Sequence, residues 1–234
     1  MTNSIEVQGL RKSYGDFSLR DINLTVPGGA IMGLIGENGA GKTTTIKCIL
    51  NLIRRDEGTI TLLGHDNQRE ERAAKLEIGV VLDECFFHDS LRPRDIDLIL
   101  SRIYQGWDSA LYQRYLSKFQ LPERKFVKEF SRGMKMKLSL AAALSHRPKL
   151  LILDEATAGL DPIVRDEILD EFLGFIQDDD HAILISSHIT SDLEKAADYI
   201  TYIHQGQVVL SDAKDRILDN YGRLACTAAQ LNSV

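Results

Sequence analysis

One eight-residue stretch limits the fold of this 234-residue chain more than any other: Gly36-Glu37-Asn38-Gly39-Ala40-Gly41-Lys42-Thr43. It matches G-x-x-x-x-G-K-[ST], follows the short apolar run Ala30 to Ile35, and opens a helical pattern from Lys42 through Leu52. Strand, glycine-rich loop and helix in that order aim successive backbone N–H groups into one concavity. A buried strand that passes directly into a helix calls for a mostly parallel sheet, because parallel neighbours are joined by helical crossovers.

Such a concavity suits phosphate oxygens. Gly36, Asn38, Gly39, Ala40 and Gly41 supply the backbone cradle, Lys42 a point charge at the β and γ phosphates, and Thr43 a hydroxyl for Mg²⁺, with Thr44 beside it in the nucleotide-binding set. A second signal is the apolar stretch Leu150 to Leu153 ending in Asp154-Glu155. Acids at the carboxyl end of a buried strand lie where open α/β sheets bind their ligands. Asp154 is placed to hold Mg²⁺ through water, and Glu155 to orient or deprotonate an attacking water. Two such acids alone read equally as a loop start or a helix cap; after a phosphate loop the chemical reading leads.

The rest of the chain supports an α/β class. Ser4 to Val7, Phe17 with Leu19, and Ile22, Leu24 and Val26 alternate as strands, and the phase slips by one residue between Leu19 and Ile22, which predicts a bulge or turn near Arg20-Asp21. From Pro93 to His146 the pattern is helical, with Ile96, Ile99, Leu100 and Ile103 spaced as one buried face. Leu150 to Leu153 and Ala182 to Ser186 then read as strands, and Asp166 to Ile176 and Ser191 to Ala197 as helices. The expected architecture is a P-loop NTPase core: a mostly parallel sheet with helices on both faces, an N-terminal antiparallel β subdomain and an inserted α-helical subdomain at about 89–146. Residues 1–220 read as one nucleotide-binding domain and 221–234 as a tail without interpretable signal. Asp178-Asp179-Asp180 reads as a solvated loop.

Composition narrows the function. A formal net charge of −6 argues against a dedicated nucleic-acid binder. Cys48, Cys85 and Cys226 are odd in number and lack metal-ligand spacing, which disfavours a disulfide framework or a zinc site and suits a reducing compartment. No stretch approaches the roughly 20 apolar residues that span a bilayer, and the N-terminus has no apolar signal core. The chain reads as cytoplasmic.

The phosphate loop, Phe130-Ser131-Arg132-Gly133-Met134, Leu151-Ile152-Leu153-Asp154-Glu155, Ala158-Gly159-Leu160-Asp161 and His188 of the LISSH segment stand in the order and approximate spacing of the ATP-binding cassette (ABC) ATPases. The resemblance runs from about Ile5 to about Leu210. It implies ATP and Mg²⁺ as cofactors and a cassette that closes with a second copy, or a related cassette, around two MgATP. By this resemblance Tyr14 stacks on adenine, a contact worth roughly 1–3 kcal/mol for base stacking in general. His188 matches the switch histidine that contacts the γ-phosphate and the attacking water. Asp161 matches the aspartate coupling the two sites, and ahead of Pro162 it also reads as a helix cap. Ser131 and Gly133 match the signature that covers the γ-phosphate held by the partner; alone, Ser131 is a helix cap.

Two departures stand out. Arg132 replaces the first signature glycine and Met134 the usual glutamine, which brings the chain closest to the branch serving drug, bacteriocin or polysaccharide exporters. Asp83, in Ile78 to Glu84, stands where the family has a glutamine that senses Mg²⁺ and contacts the transporter. The resemblance further implies transmembrane permease subunits as partners, no nucleic acid, and a peripheral place at the inner face of the cell membrane. Glu84-Cys85-Phe86-Phe87-His88 either docks permease helices or packs its phenylalanines into the core. A soluble cassette ATPase acting on ribosomes or DNA repair complexes is the competing class; its members carry tandem cassettes or long coiled coils, and this chain has neither. A scaffold that binds ATP without turnover fits poorly with Glu155.

Overall fold

The structure is a computed structural model that describes residues 3–222, so Cys226 and nearly all of the 221–234 tail lie outside the described residues. The chain opens with a hairpin, β1 (Asn3–Tyr14) and β2 (Phe17–Pro27). Ile5, Val7 and Leu10 of β1 face Val26, Leu24 and Ile22 of β2, and all six are buried. The phase slip is a bulge: Leu10 pairs with Ile22 but Lys12 with Leu19, so Arg20 and Asp21 together oppose Arg11, and Asp21 takes φ 56. After β3 (Ile31–Ile35) and α1 (Lys42–Ile49) the chain returns to this sheet as β4 (Glu57–Leu62) and β5 (His65–Asp66), giving the order β2-β1-β4-β5. The sequence pattern extends α1 to Leu52, but the helix stops at Ile49 because Asn51 turns left-handed at φ 52.

The main sheet holds six strands. Past α2 (Glu71–Leu76) come β6 (Ile78–Val81), α3 (Pro93–Ile103), α4 (Ser109–Lys118), α5 (Arg132–Leu144) and β7 (Leu150–Asp154). Then follow α6 (Pro162–Phe175), β8 (Ala182–Ser186), α7 (Thr190–Ala196), β9 (Tyr199–His204), β10 (Gln207–Ala213) and α8 (Lys214–Asn220). The strand order is β10-β9-β3-β8-β7-β6, parallel throughout except for the antiparallel pair β9 and β10. Every residue of β7 and β8 is buried, as expected for strands covered on both faces.

The two faces bury different partners. Leu151, Leu153, Ile183 and Ile185 pack with Leu138 of α5, Phe172 of α6 and Leu193 of α7. The alternate residues Leu150, Ile152 and Leu184 pack instead with Ile46 and Ile49 of α1 and with Leu24, Val26 and Ile60 of the antiparallel sheet. Helices alone therefore do not cover both faces: on one of them the antiparallel sheet, with α1 between, does most of the covering.

The expected apolar face of α3 is also corrected. Ile96 is buried and Leu100 partly so, next to Tyr112 of α4, whose hydroxyl donates to the Pro93 carbonyl at 3.2 Å. Ile99 and Ile103, however, are 41% and 61% exposed. Residues at i and i+4 share one line down a helix, and α3 packs into the core along the Ile96–Leu100 line, leaving the Ile99–Ile103 line toward solvent. The Phe86/Phe87 alternative divides between its two readings: Phe86 is 73% exposed, while Phe87 packs against the core.

Candidate functional site

The loop between β3 and α1 is held from below. Gly206 N, in the β9–β10 turn, donates to the Ala40 carbonyl at 2.9 Å, and the Thr45 hydroxyl donates to the Gly41 carbonyl at 2.9 Å. Gly41 sits at φ 114, a conformation open to glycine but strained for other residues, and this lets α1 begin immediately at Lys42. Lys42 is buried, and its Nζ donates to the carbonyls of Gly36 at 2.8 Å and Glu37 at 3.3 Å. The same Nζ lies 3.4 Å from Glu155 Oε1.

Three side chains meet at the end of β7. Asp154 is fully buried and Ser186, its register partner on β8, donates to its Oδ1 at 2.6 Å. The Ser186 hydroxyl also accepts from the Glu155 backbone N–H at 3.0 Å, so one serine sets both acids. Glu155 takes φ 52, an uncommon left-handed value for this residue type, and its Oε2 accepts a 2.6 Å hydrogen bond from His188 Nδ1. The carboxylate is thus held between Lys42 and His188. Burial raises the Asp154 carboxyl above the usual carboxylate range, the charges of Asp83 and Glu155 add to the rise, and hydrogen bonds from Ser186 and Thr43 oppose it.

A cavity of about 480 Å³ covers this cluster. Asn38, Gly39, Gly41, Lys42, Thr43, Thr44, Asp83, Glu155 and His188 line it, while Ala40 and Asp154 are buried beneath. Nine of the residues singled out in the sequence thus share one wall. A buried carboxylate beside the Thr43 hydroxyl, crowded by two further acids, matches the hard oxygen donors of Mg²⁺. No group of three His, Cys, Asp or Glu side chains is arranged for a metal among the described residues. A larger cavity, about 1060 Å³, lies at the opposite strand ends, but Glu6, Glu77, Asp179, Asp180 and Asp198 line it against a single lysine, Lys149, a poor setting for an anion.

The other candidates sit outside this lining. Ser131 caps α5, its Oγ accepting from Met134 N at 3.2 Å, and Asp161 caps α6, its Oδ1 accepting from Val164 N at 3.1 Å. Both are exposed, and a Cβ on Gly133 would lie 3.4 Å from Val164, so the two helix starts adjoin. Tyr14 is 46% exposed, with Lys12 Nζ 5.2 Å from its ring centre. The aromatic that lines the cavity is Phe17, its partner across the hairpin. Sequence reasoning missed Phe17 and Ser186. Phe17 carried a weak signal as an aromatic three residues from Tyr14; Ser186 carried none, since its role comes from lying beside Asp154 on the neighbouring strand.

A family model described as ABC transporter matches residues 19–158. The bacitracin transport ATP-binding protein BcrA of Enterococcus faecalis is 36% identical over 208 residues, covering 88% of this chain and 68% of that protein. The lantibiotic transport ATP-binding protein SrtF of Streptococcus pyogenes is 36% identical over 214 residues, covering 90% of this chain and 91% of its own. Among solved structures, an ATP binding subunit of an ABC transporter superposes with a TM-score of 0.84 at 28% identity, covering 98% of both chains.

Proposed function

The chain belongs to the ABC transporter family, and from that premise we propose that it is the ATP-hydrolysing subunit of an exporter, closing with a second cassette around two MgATP. The observation that carries this reading is the Glu155 carboxylate fixed between Lys42 and His188 above the phosphate loop. When ATP enters, its γ-phosphate takes the place beside Lys42 Nζ, whose present partners are two carbonyls and Glu155. Glu155 then accepts a proton from the water that attacks the γ-phosphorus as its bond to the β–γ bridging oxygen breaks and ADP leaves, while His188 Nδ1 keeps the carboxylate oriented. Thr43 and Asp154, with Asp83 nearby, would hold Mg²⁺, which would supply charge neutralisation at the phosphate oxygens.

Adenine stacks on the hairpin aromatics, with Tyr14 from the family pattern and Phe17 at the cavity wall. Ser131 and Gly133 cover the partner's γ-phosphate and Asp161 links the two sites. Residues 1–220 act as one nucleotide-binding domain whose helical segment, 89–146, brings the signature to the partner.

No described helix is long and apolar enough to cross a membrane. On the family reading, separate permease subunits carry the transport path. Their docking face is the apolar surface running from Phe86 and Leu100 past Tyr104 to Ile103 and Leu76, the residues of two adjoining grooves. On this reading the protein works at the inner face of the cell membrane. The bacitracin and lantibiotic transport relatives favour a compound of the bacitracin or lantibiotic kind as cargo. The test is Lys42→Ala: loss of its charge at the β and γ phosphates removes ATP hydrolysis, read as phosphate release. Wild-type turnover in that variant contradicts the assignment.

A further inference from the structure

We infer that Arg132 contacts the nucleotide bound by its own chain, so that neighbouring residues of one turn serve two nucleotides: Ser131 the partner's and Arg132 its own. The inference rests on the cassette reading above and adds a phosphate-contacting residue to it. Arg132 lines the same cavity as Lys42, Glu155 and His188 of its own chain. Its guanidinium lies over Gly159: a Cβ built there would sit 2.9 Å from Nη1 and 3.1 Å from Cζ. Gly159 takes φ +67 and leaves the space the guanidinium occupies. Nearby cations are paired, Lys135 with Asp89, Lys137 with Glu167 and Arg165 with Asp192. Arg132 takes part in no ion pair and no side-chain hydrogen bond among the described residues. A free guanidinium on the rim of a phosphate cavity is a planar donor fork without an acceptor, and phosphate oxygens match its geometry.

Position selects the phosphate. Arg132 shares the cavity lining with Ala158, Glu155 and His188, and its guanidinium lies over Gly159, the residue that follows Ala158 in the turn after Glu155. It therefore meets the γ-phosphate, and ADP lacks its ligand.

Nucleotide affinity of the full chain, titrated at concentrations where gel filtration gives one chain per particle, tests this directly. Arg132→Ala weakens ATP binding about tenfold, the order expected for one charge-assisted contact, and leaves ADP binding unchanged. Arg132→Lys keeps part of the effect, since the charge remains while the fork is lost. Lys135→Ala, which removes a nearby cation paired with Asp89 outside the cavity, changes neither affinity. Unchanged ATP affinity in Arg132→Ala, or an equal fall for ATP and ADP, overturns the inference. Mixed dimers give an independent reading. Pairing Lys42→Ala chains with Arg132→Ala chains damages both composite sites if Arg132 acts within its chain, and activity stays low. Recovery in that pairing means that Arg132 works across the interface, and the inference falls while the composite site stands. Wild-type phosphate release together with normal ATP binding by Lys42→Ala overturns the cassette assignment and this inference with it.

Discussion

Glu155 shows how much one residue depends on its surroundings. Its left-handed backbone, the bond its N–H donates to the Ser186 hydroxyl and its place between Lys42 and His188 fix a carboxylate that would otherwise sample many rotamers. Glu155→Gln preserves shape and an acceptor for His188 but removes the base. It retains MgATP affinity and lowers turnover by about 10²–10⁴-fold, the usual worth of a positioned general base, measured as steady-state phosphate release beside equilibrium binding. The catalytic acids and the phosphate loop were legible in the sequence because their chemistry dictates local spacing. Ser186 was not, because it serves Asp154 through pairing between β7 and β8 at a separation of 32 residues. The hairpin aromatics were legible only in part: Tyr14 was named, while the aromatic that lines the cavity is Phe17.

Among the elements, local periodicity carried the strands well and the helices less well. The slip between Leu19 and Ile22 gave away the β2 bulge because a bulge necessarily shifts the alternation of buried side chains. On α3 the apolar spacing gave a stripe but not how much of it neighbouring helices cover. Ile96 and Ile103 therefore differ sharply in cost. Ile96→Ala opens a cavity in the core and costs about 2–5 kcal/mol, whereas Ile103→Ala, at an exposed position, changes stability by less than about 0.5 kcal/mol. Urea denaturation of the two variants checks this, and a large loss at Ile103 would return α3 to the fully buried face its spacing implies. If the exposed stripe is the permease face, Ile103→Ala with Phe86→Ala weakens transport while the isolated chain keeps its ATPase rate.

In the molecule as a whole, the parallel core was readable from the alternation of strands and helices, but its covering was not. That the antiparallel sheet closes one face depends on contacts between β2 or β4 and residues of β7 and β8 far along the chain, for which no local pattern exists. The arrangement of Ser131, Gly133 and Asp161 outside the cavity has the same character: each chain carries a cap-lined rim that its own phosphate loop does not use. The central claim is that two chains complete each other's sites, and one measurement addresses it most directly. Lys42→Ala chains and Ser131→Arg chains, each inactive alone, are carried on different affinity tags, and mixed dimers are isolated by tandem purification and assayed for phosphate release. One composite site then holds both defects and the other holds none, so the mixed dimers hydrolyse ATP at a rate neither parent shows. Purified mixed dimers as inactive as their parents would contradict the account.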